Sequence, residues 1–185
     1  MSRIIRAALA ATAGLAALAG TATAVHADDT TTNNAAPEVA TVQLQAAHSG
    51  KCLTIDKASL RNGANAVQST CADGADNQLF EMAPVGDGTL ELRPAHSGKC
   101  LEVENSGTAG GSNIQQWWCS GGANMRWRPF LVDVAKDLYE LRPAHATAAR
   151  CLDIKSGAAT DGANAQLWYC NGSAAQQWQI KPVKA

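Results

Sequence analysis

The sequence predicts an all-β chain made of three copies of one unit arranged about a pseudo-threefold axis. Three observations predict it. The phrase Ala47–Ile55, "AHSGKCLTI", returns as Ala95–Val103, "AHSGKCLEV", and in longer form as Ala144–Ile154, "AHATAARCLDI". Six cysteines fall into pairs spaced 19 positions apart each time. Short runs of period-2 hydrophobicity alternate with Gly, Asn and Ser turns, and no stretch carries the 3.6-residue stripe of an amphipathic helix.

The elements follow in the same order in each repeat, and the repeats span residues 42–89, 90–137 and 138–185. Each opens on an alternating strand marked by Val42/Leu44, Leu90/Leu92 and Tyr139/Leu141. A second strand places an apolar pair around one variable position: Leu53/Ile55, Leu101/Val103 and Leu152/Ile154. A Gly-x-Asn turn follows at Gly63/Asn65, Gly111/Asn113 and Gly162/Asn164, eight residues before the second Cys. Each repeat then reaches an aromatic, Phe80, Trp127 or Trp178, which the pattern assigns to the core. One unit of about four strands is too small to bury its own core. Three units sharing one core make a β-trefoil, while a solenoid would need distinct capping repeats.

Residues 1–27 read as a secretory signal peptide. Arg3 and Arg6 precede an apolar run from Ala7 to about Ala19, and cleavage is expected after Ala27. The run is too short and too Ala-rich for a membrane-spanning helix. No Cys lies nearby to carry a lipid. Residues 28–41 are polar and aperiodic, as a disordered tether would be. Removing the leader leaves 13 basic against 16 acidic residues. That mild acidity argues against a nucleic-acid partner, which calls for a concentrated basic surface.

An exported chain with an even number of cysteines implies disulfides. Six cysteines permit 15 connectivities. If each repeat is one structural unit, the pairs are Cys52–Cys71, Cys100–Cys119 and Cys151–Cys170. Each would close a loop of about 20 residues, worth roughly 3 kcal/mol by loop entropy. A metal site is disfavoured, because no Cys-x-x-Cys or Cys/His cluster is present. His48, His96 and His145 occupy equivalent positions and are assigned to turns. No cofactor is expected.

Residues 42–185 resemble the ricin B-chain-type lectins, also described as family 13 carbohydrate-binding modules. Repeat 3 carries the resemblance best, in "CLDI", "GANAQLWYCNG" and "QQW". It implies a β-trefoil with up to three shallow sugar pockets, one per repeat. Strand alternation supports the same positions independently. Leu152 and Ile154 share the core face, so Asp153 points outward with Cys151. Counting back from Cys170, Trp168 and Gln166 fall on the cysteine side of their strand. A carboxylate, an amide and an indole on one outer surface suit a sugar: two groups hydrogen-bond hydroxyls and the third packs on the C–H face.

Repeat 3 therefore offers Asp153, Gln166, Trp168 and Gln176, with Ala175 where the family usually has Asn. Repeat 2 offers Glu102, Gln115, Trp117 and Asn124, with Met125 in place of the Gln of Gln-x-Trp. Repeat 1 has Thr54, Val67 and Ser69 at the three positions and is assigned a scaffold role. Trp118 and Tyr169, of opposite parity to Trp117 and Trp168, are expected to be partly buried. Paired carboxylates for glycoside hydrolysis are lacking, since Glu102 and Asp153 belong to different lobes. The expected protein is a secreted, extracellular, non-enzymatic monomer that binds galactose- or xylose-like units of glycans and does not insert into membranes. The alternative is a trefoil that binds a protein or inhibits a hydrolase through its loops.

Overall fold

The computed structural model describes residues 39–183. The predicted signal peptide lies outside the described residues, as does the predicted tether up to residue 38. Twelve strands follow: β1 (Ala40–Ala46), β2 (Cys52–Ile55), β3 (Ala64–Ser69), β4 (Phe80–Gly86), β5 (Thr89–Pro94), β6 (Cys100–Val103), β7 (Ile114–Trp117), β8 (Arg126–Asp133), β9 (Leu138–Pro143), β10 (Arg150–Ile154), β11 (Ala165–Tyr169) and β12 (Trp178–Pro182). Short 3-10 turns join them, and no α-helix occurs among the described residues. β1 begins two residues before the expected start at Val42.

Six strands close a barrel in the order β1–β4–β5–β8–β9–β12, with β12 pairing back onto β1 from Val42↔Pro182 to Ala46↔Trp178. Closure leaves the barrel without an unpaired edge. The remaining hairpins, β2–β3, β6–β7 and β10–β11, cap it. This is the β-trefoil, with one hairpin and one disulfide per repeat. Cys52–Cys71, Cys100–Cys119 and Cys151–Cys170 are all bonded, with Cα atoms 5.0, 5.1 and 5.2 Å apart.

The core follows the period-2 pattern. Leu53, Ile55, Leu101, Val103, Leu152 and Ile154 are all fully buried in one cluster. Phe80, Trp127 and Trp178 are fully buried too. Each indole donates its N–H to a carbonyl of the cap strand above it, Trp127 to Leu101 O at 2.9 Å and Trp178 to Leu152 O at 3.1 Å. Tyr139 departs from the pattern: it is only half-buried, while its neighbours Leu138 and Leu141 are buried.

The Gly-x-Asn residues meet at the pseudo-threefold axis. Asn164 Nδ2 donates to Asn113 Oδ1, and Asn113 Nδ2 to Asn65 Oδ1, both at 2.9 Å. The three histidines clip one repeat to another. His48 Nε2 meets Ala158 O at 3.0 Å, His96 Nε2 meets Ser59 O at 3.1 Å, and His145 Nε2 meets Gly107 O at 2.9 Å. The repeated phrase therefore serves the assembly of the trefoil. Its Ser also contributes, since Ser49 and Ser97 donate to the buried Gln68 and Gln116, whose amides bind the same neighbouring carbonyls.

Candidate functional site

In repeat 3 the register sets Asp153 directly opposite Gln166 and Cys151 opposite Trp168. Alternation turns the carboxylate away from the core that holds Leu152 and Ile154. Asp153, Gln166 and Trp168 line one cavity of about 580 Å³. Asn171, Ser173, Ala175, Lys155, Ser156 and Gly157 also line it. Trp168 keeps 39% of its surface exposed, enough to offer an open face.

The Asp153 carboxylate is held from two sides. Gln166 Nε2 donates to Oδ1 at 2.8 Å and Gln176 Nε2 to Oδ2 at 3.1 Å. Each oxygen keeps a further lone-pair direction for a ligand hydroxyl. Burial pushes the carboxyl above the usual carboxylate range, opposed by the two amide donors and by the nearby His48. Gln176 also donates to Tyr169 O at 2.9 Å and accepts from Asn171 N at 2.9 Å. In contrast to the expected sugar contact, it is fully buried and outside the cavity lining, where it holds Asp153 from behind.

Repeat 2 builds a smaller version, about 330 Å³, with Glu102, Gln115, Trp117 and Asn124 together. Gln115 Nε2 donates to Glu102 Oε1 at 2.9 Å and Asn124 Nδ2 to Oε2 at 3.0 Å. The two repeats thus support their carboxylates with different halves of an Asn-Gln pair. Met125 takes over only the acceptor role of Gln176, with its sulfur 3.4 Å from Ser120 N. Ala175 removes the amide that Asn124 supplies, and the space it vacates belongs to the larger cavity.

Repeat 1 keeps the complete pair and lacks the carboxylate. Asn77 donates to Ile55 O, and Gln78 bridges Ala72 N and Thr70 O. Thr54 turns its hydroxyl back onto Cys52 O at 2.8 Å.

Two features were beyond the sequence reading. His48, from repeat 1, lines the repeat 3 cavity. Trp118 and Tyr169, expected to be partly buried, are exposed at 66% and 53%. Both lie where the chain leaves the cap hairpin, and cations cover them in place of the core: Lys99 Nζ lies 3.4 Å from the Trp118 ring centre and Arg150 Cζ 3.9 Å from that of Tyr169. The repeat 3 site is also bordered by repeat 2. A Cβ on Gly110 of repeat 2 would come within 3.0 Å of both Trp168 and Tyr169, so glycine permits the neighbouring loop to seat against the site.

Acidic groups and sulfurs meet at Glu91–Cys100–Cys119 and Glu140–Cys151–Cys170. Those sulfurs are bonded to each other and hold no thiolate for a metal. No helix among the described residues is long and apolar enough to cross a membrane.

The ricin-type β-trefoil lectin domain-like family matches residues 31–117, 85–168 and 123–185, three overlapping stretches. No match is found among curated proteins. Among solved structures, the designed threefold-symmetric protein ThreeFoil is 38% identical with a TM-score of 0.72, over 77% of this chain and 99% of that one. An exo-β-1,3-galactanase from Clostridium thermocellum is 26% identical with a TM-score of 0.73. The match covers 80% of this chain and 31% of the galactanase, so this chain corresponds to about a third of that enzyme. The Macrolepiota procera ricin B-like lectin, solved with lactose, shares the fold at 18% identity, with a TM-score of 0.65 over 76% of this chain and 94% of that one.

Proposed function

Because this chain belongs to the ricin-type β-trefoil lectin family, we propose that it is a secreted carbohydrate-binding protein whose main pocket is Asp153, Gln166 and Trp168. One observation carries the reading: a buried carboxylate, fixed by two amide donors, faces a cavity walled by a half-exposed indole. That arrangement binds a sugar through a hydroxyl pair on Asp153 and Gln166 and a C–H face on Trp168. Glu102, Gln115, Trp117 and Asn124 form a second, tighter pocket. Shallow sites bind weakly one at a time, and two on one trefoil gain by avidity on a polymer or cell surface. The ligand class is a galactose- or xylose-like unit. The likeness to part of a galactanase supports testing galactose first.

Three intra-repeat disulfides suit an oxidising, extracellular setting. Binding without turnover is favoured because Asp153 and Glu102 line separate cavities, whereas glycoside hydrolysis requires a facing pair of carboxylates.

Calorimetric titration of the mature, oxidised protein with galactose, lactose and xylo-oligosaccharides tests the proposal. Asp153→Ala is expected to abolish most of the heat, and Glu102→Gln to remove a weaker component. Silence toward every sugar from the folded protein would sink it and leave the protein-binding alternative, which free sugar would not compete.

A further inference from the structure

A cavity of about 290 Å³ lies away from both sugar pockets, between β8, β9 and the Ala146–Ala149 loop. Three arginines, Arg128, Arg142 and Arg150, are among the residues that line it. Arg128 and Arg142 are direct cross-strand partners, so two like charges stand opposite each other. Such a pair destabilises a sheet.

The internal repeat supplies the control. The equivalent cross-strand pairs are Glu81↔Arg93 between β4 and β5 and Gln45↔Gln179 between β1 and β12. Only the β8–β9 pair is like-charged, so the fold itself does not demand it. Arg142 is partly neutralised by Glu140 at 2.6 Å and stacks on Phe130 at 4.2 Å. Arg128 forms no ion pair among the described residues. Arg150 is held in place by Thr108 O at 2.9 Å and by the Tyr169 ring, without an acidic partner. The loop beneath offers only Ala and Thr side chains. With Arg142 and Arg150 held by these contacts, guanidinium forks beside a small hollow match the oxygens of a carboxylate or sulfate.

We propose that Arg128, Arg142 and Arg150 form an anion-binding site for a carboxylate or sulfate group carried on a glycan. A run of contacts joins it to the repeat 3 pocket. Arg150 covers Tyr169, and Tyr169 packs edge-on against Trp168 with ring centres 5.9 Å apart. A glycan with a neutral unit on Trp168 and an acidic unit further along would engage both. The anion site stands on its own geometry; only the choice of a glycan as carrier rests on the lectin reading.

The test titrates the mature protein with sodium sulfate against sodium chloride at constant ionic strength, following the arginine Nε–H resonances by NMR. Saturable shifts with sulfate are expected, weakened about tenfold by Arg128→Gln and unchanged by Asp153→Ala. Arg128→Glu restores an opposite-charge pair with Arg142, so it should abolish sulfate binding while raising the thermal midpoint. That gain in stability shows that any binding loss is not misfolding. Linear shifts, or equal shifts in Arg128→Gln, would overturn the site.

Oligogalacturonate and a sulfated galacto-oligosaccharide, each against its neutral counterpart, identify the carrier. At least tenfold preference for either acidic form, lost in Arg128→Gln, is expected. Tighter binding of a DNA duplex than of both acidic glycans would overturn the carrier. Sulfate binding in a protein silent toward both neutral and acidic sugars would refute the lectin reading and leave the anion site standing.

Discussion

Replacing Gln176 by Met would give repeat 3 the support that repeat 2 has on that side. The wild-type amide makes three hydrogen bonds: to Asp153 Oδ2 at 3.1 Å, to Tyr169 O at 2.9 Å and from Asn171 N at 2.9 Å. Met keeps a weak version of the last, as Met125 does with Ser120 N. The other two are lost. A hydrogen bond to a charged group contributes about 1.5–3 kcal/mol and a neutral one about 1 kcal/mol. The expected destabilisation of Gln176→Met is therefore about 2–4 kcal/mol, read from urea unfolding with unchanged slope. Adding Ala175→Asn supplies the amide that repeat 2 uses, since Asn124 reaches both Glu102 Oε2 and Val103 O. The double variant should recover about half of the loss. The same pair should weaken and then partly restore sugar binding, because the carboxylate loses and regains its second donor. A Gln176→Met protein within about 0.5 kcal/mol of wild type would refute the idea that this amide holds Asp153.

Other outcomes follow from the same contacts. Burial raises the Asp153 carboxyl, so sugar affinity in repeat 3 should fall on acidification before the ordinary aspartate range is reached. The stability contribution has the opposite sign: the raised carboxyl favours the fold while protonated, and that advantage is lost as pH rises through its folded value. Parallel titrations of binding and urea midpoint on wild type and Asp153→Ala check both. His145→Ala should cost about 1 kcal/mol more than His96→Ala. Gly107 O depends on His145, whereas Ser59 O also accepts from Gln116. Ala58→Gly should stabilise by about 1 kcal/mol, because Ala58 sits at φ +49° in the left-handed region; thermal unfolding would read it.

What lay within one repeat was legible in the sequence. Period-2 alternation fixes which side of β10 carries Asp153, and the hairpin sets Gln166 opposite it, so the trio could be counted out from the cysteines. What lay between repeats was not. His48 reaches repeat 3 only once β1 and β12 close the barrel, and no local pattern encodes that seam. The exposure of Trp118 and Tyr169 escaped for a related reason: parity stops governing burial where a strand leaves its sheet, and Lys99 and Arg150 then decide what covers the ring. Gln176 was placed in the pocket because the family resemblance puts an Asn-Gln pair there and Gln176 is the half that remains. Its complete burial and its place outside the cavity lining are visible only in the folded chain.

The borrowed walls bear on when binding competence arises in the life of the chain. The repeat 3 cavity is lined in part by His48 from the first repeat, and the Gly110 loop of the second packs against its Trp168. A nascent or clipped chain lacking either end would hold Asp153, Gln166 and Trp168 in sequence and still have no finished receptor. On the proposed reading, ligand capture by repeat 3 would report closure of all three repeats, and loss of His48 from repeat 1, which has no carboxylate of its own, would alter a pocket whose Asp153 lies 105 positions downstream.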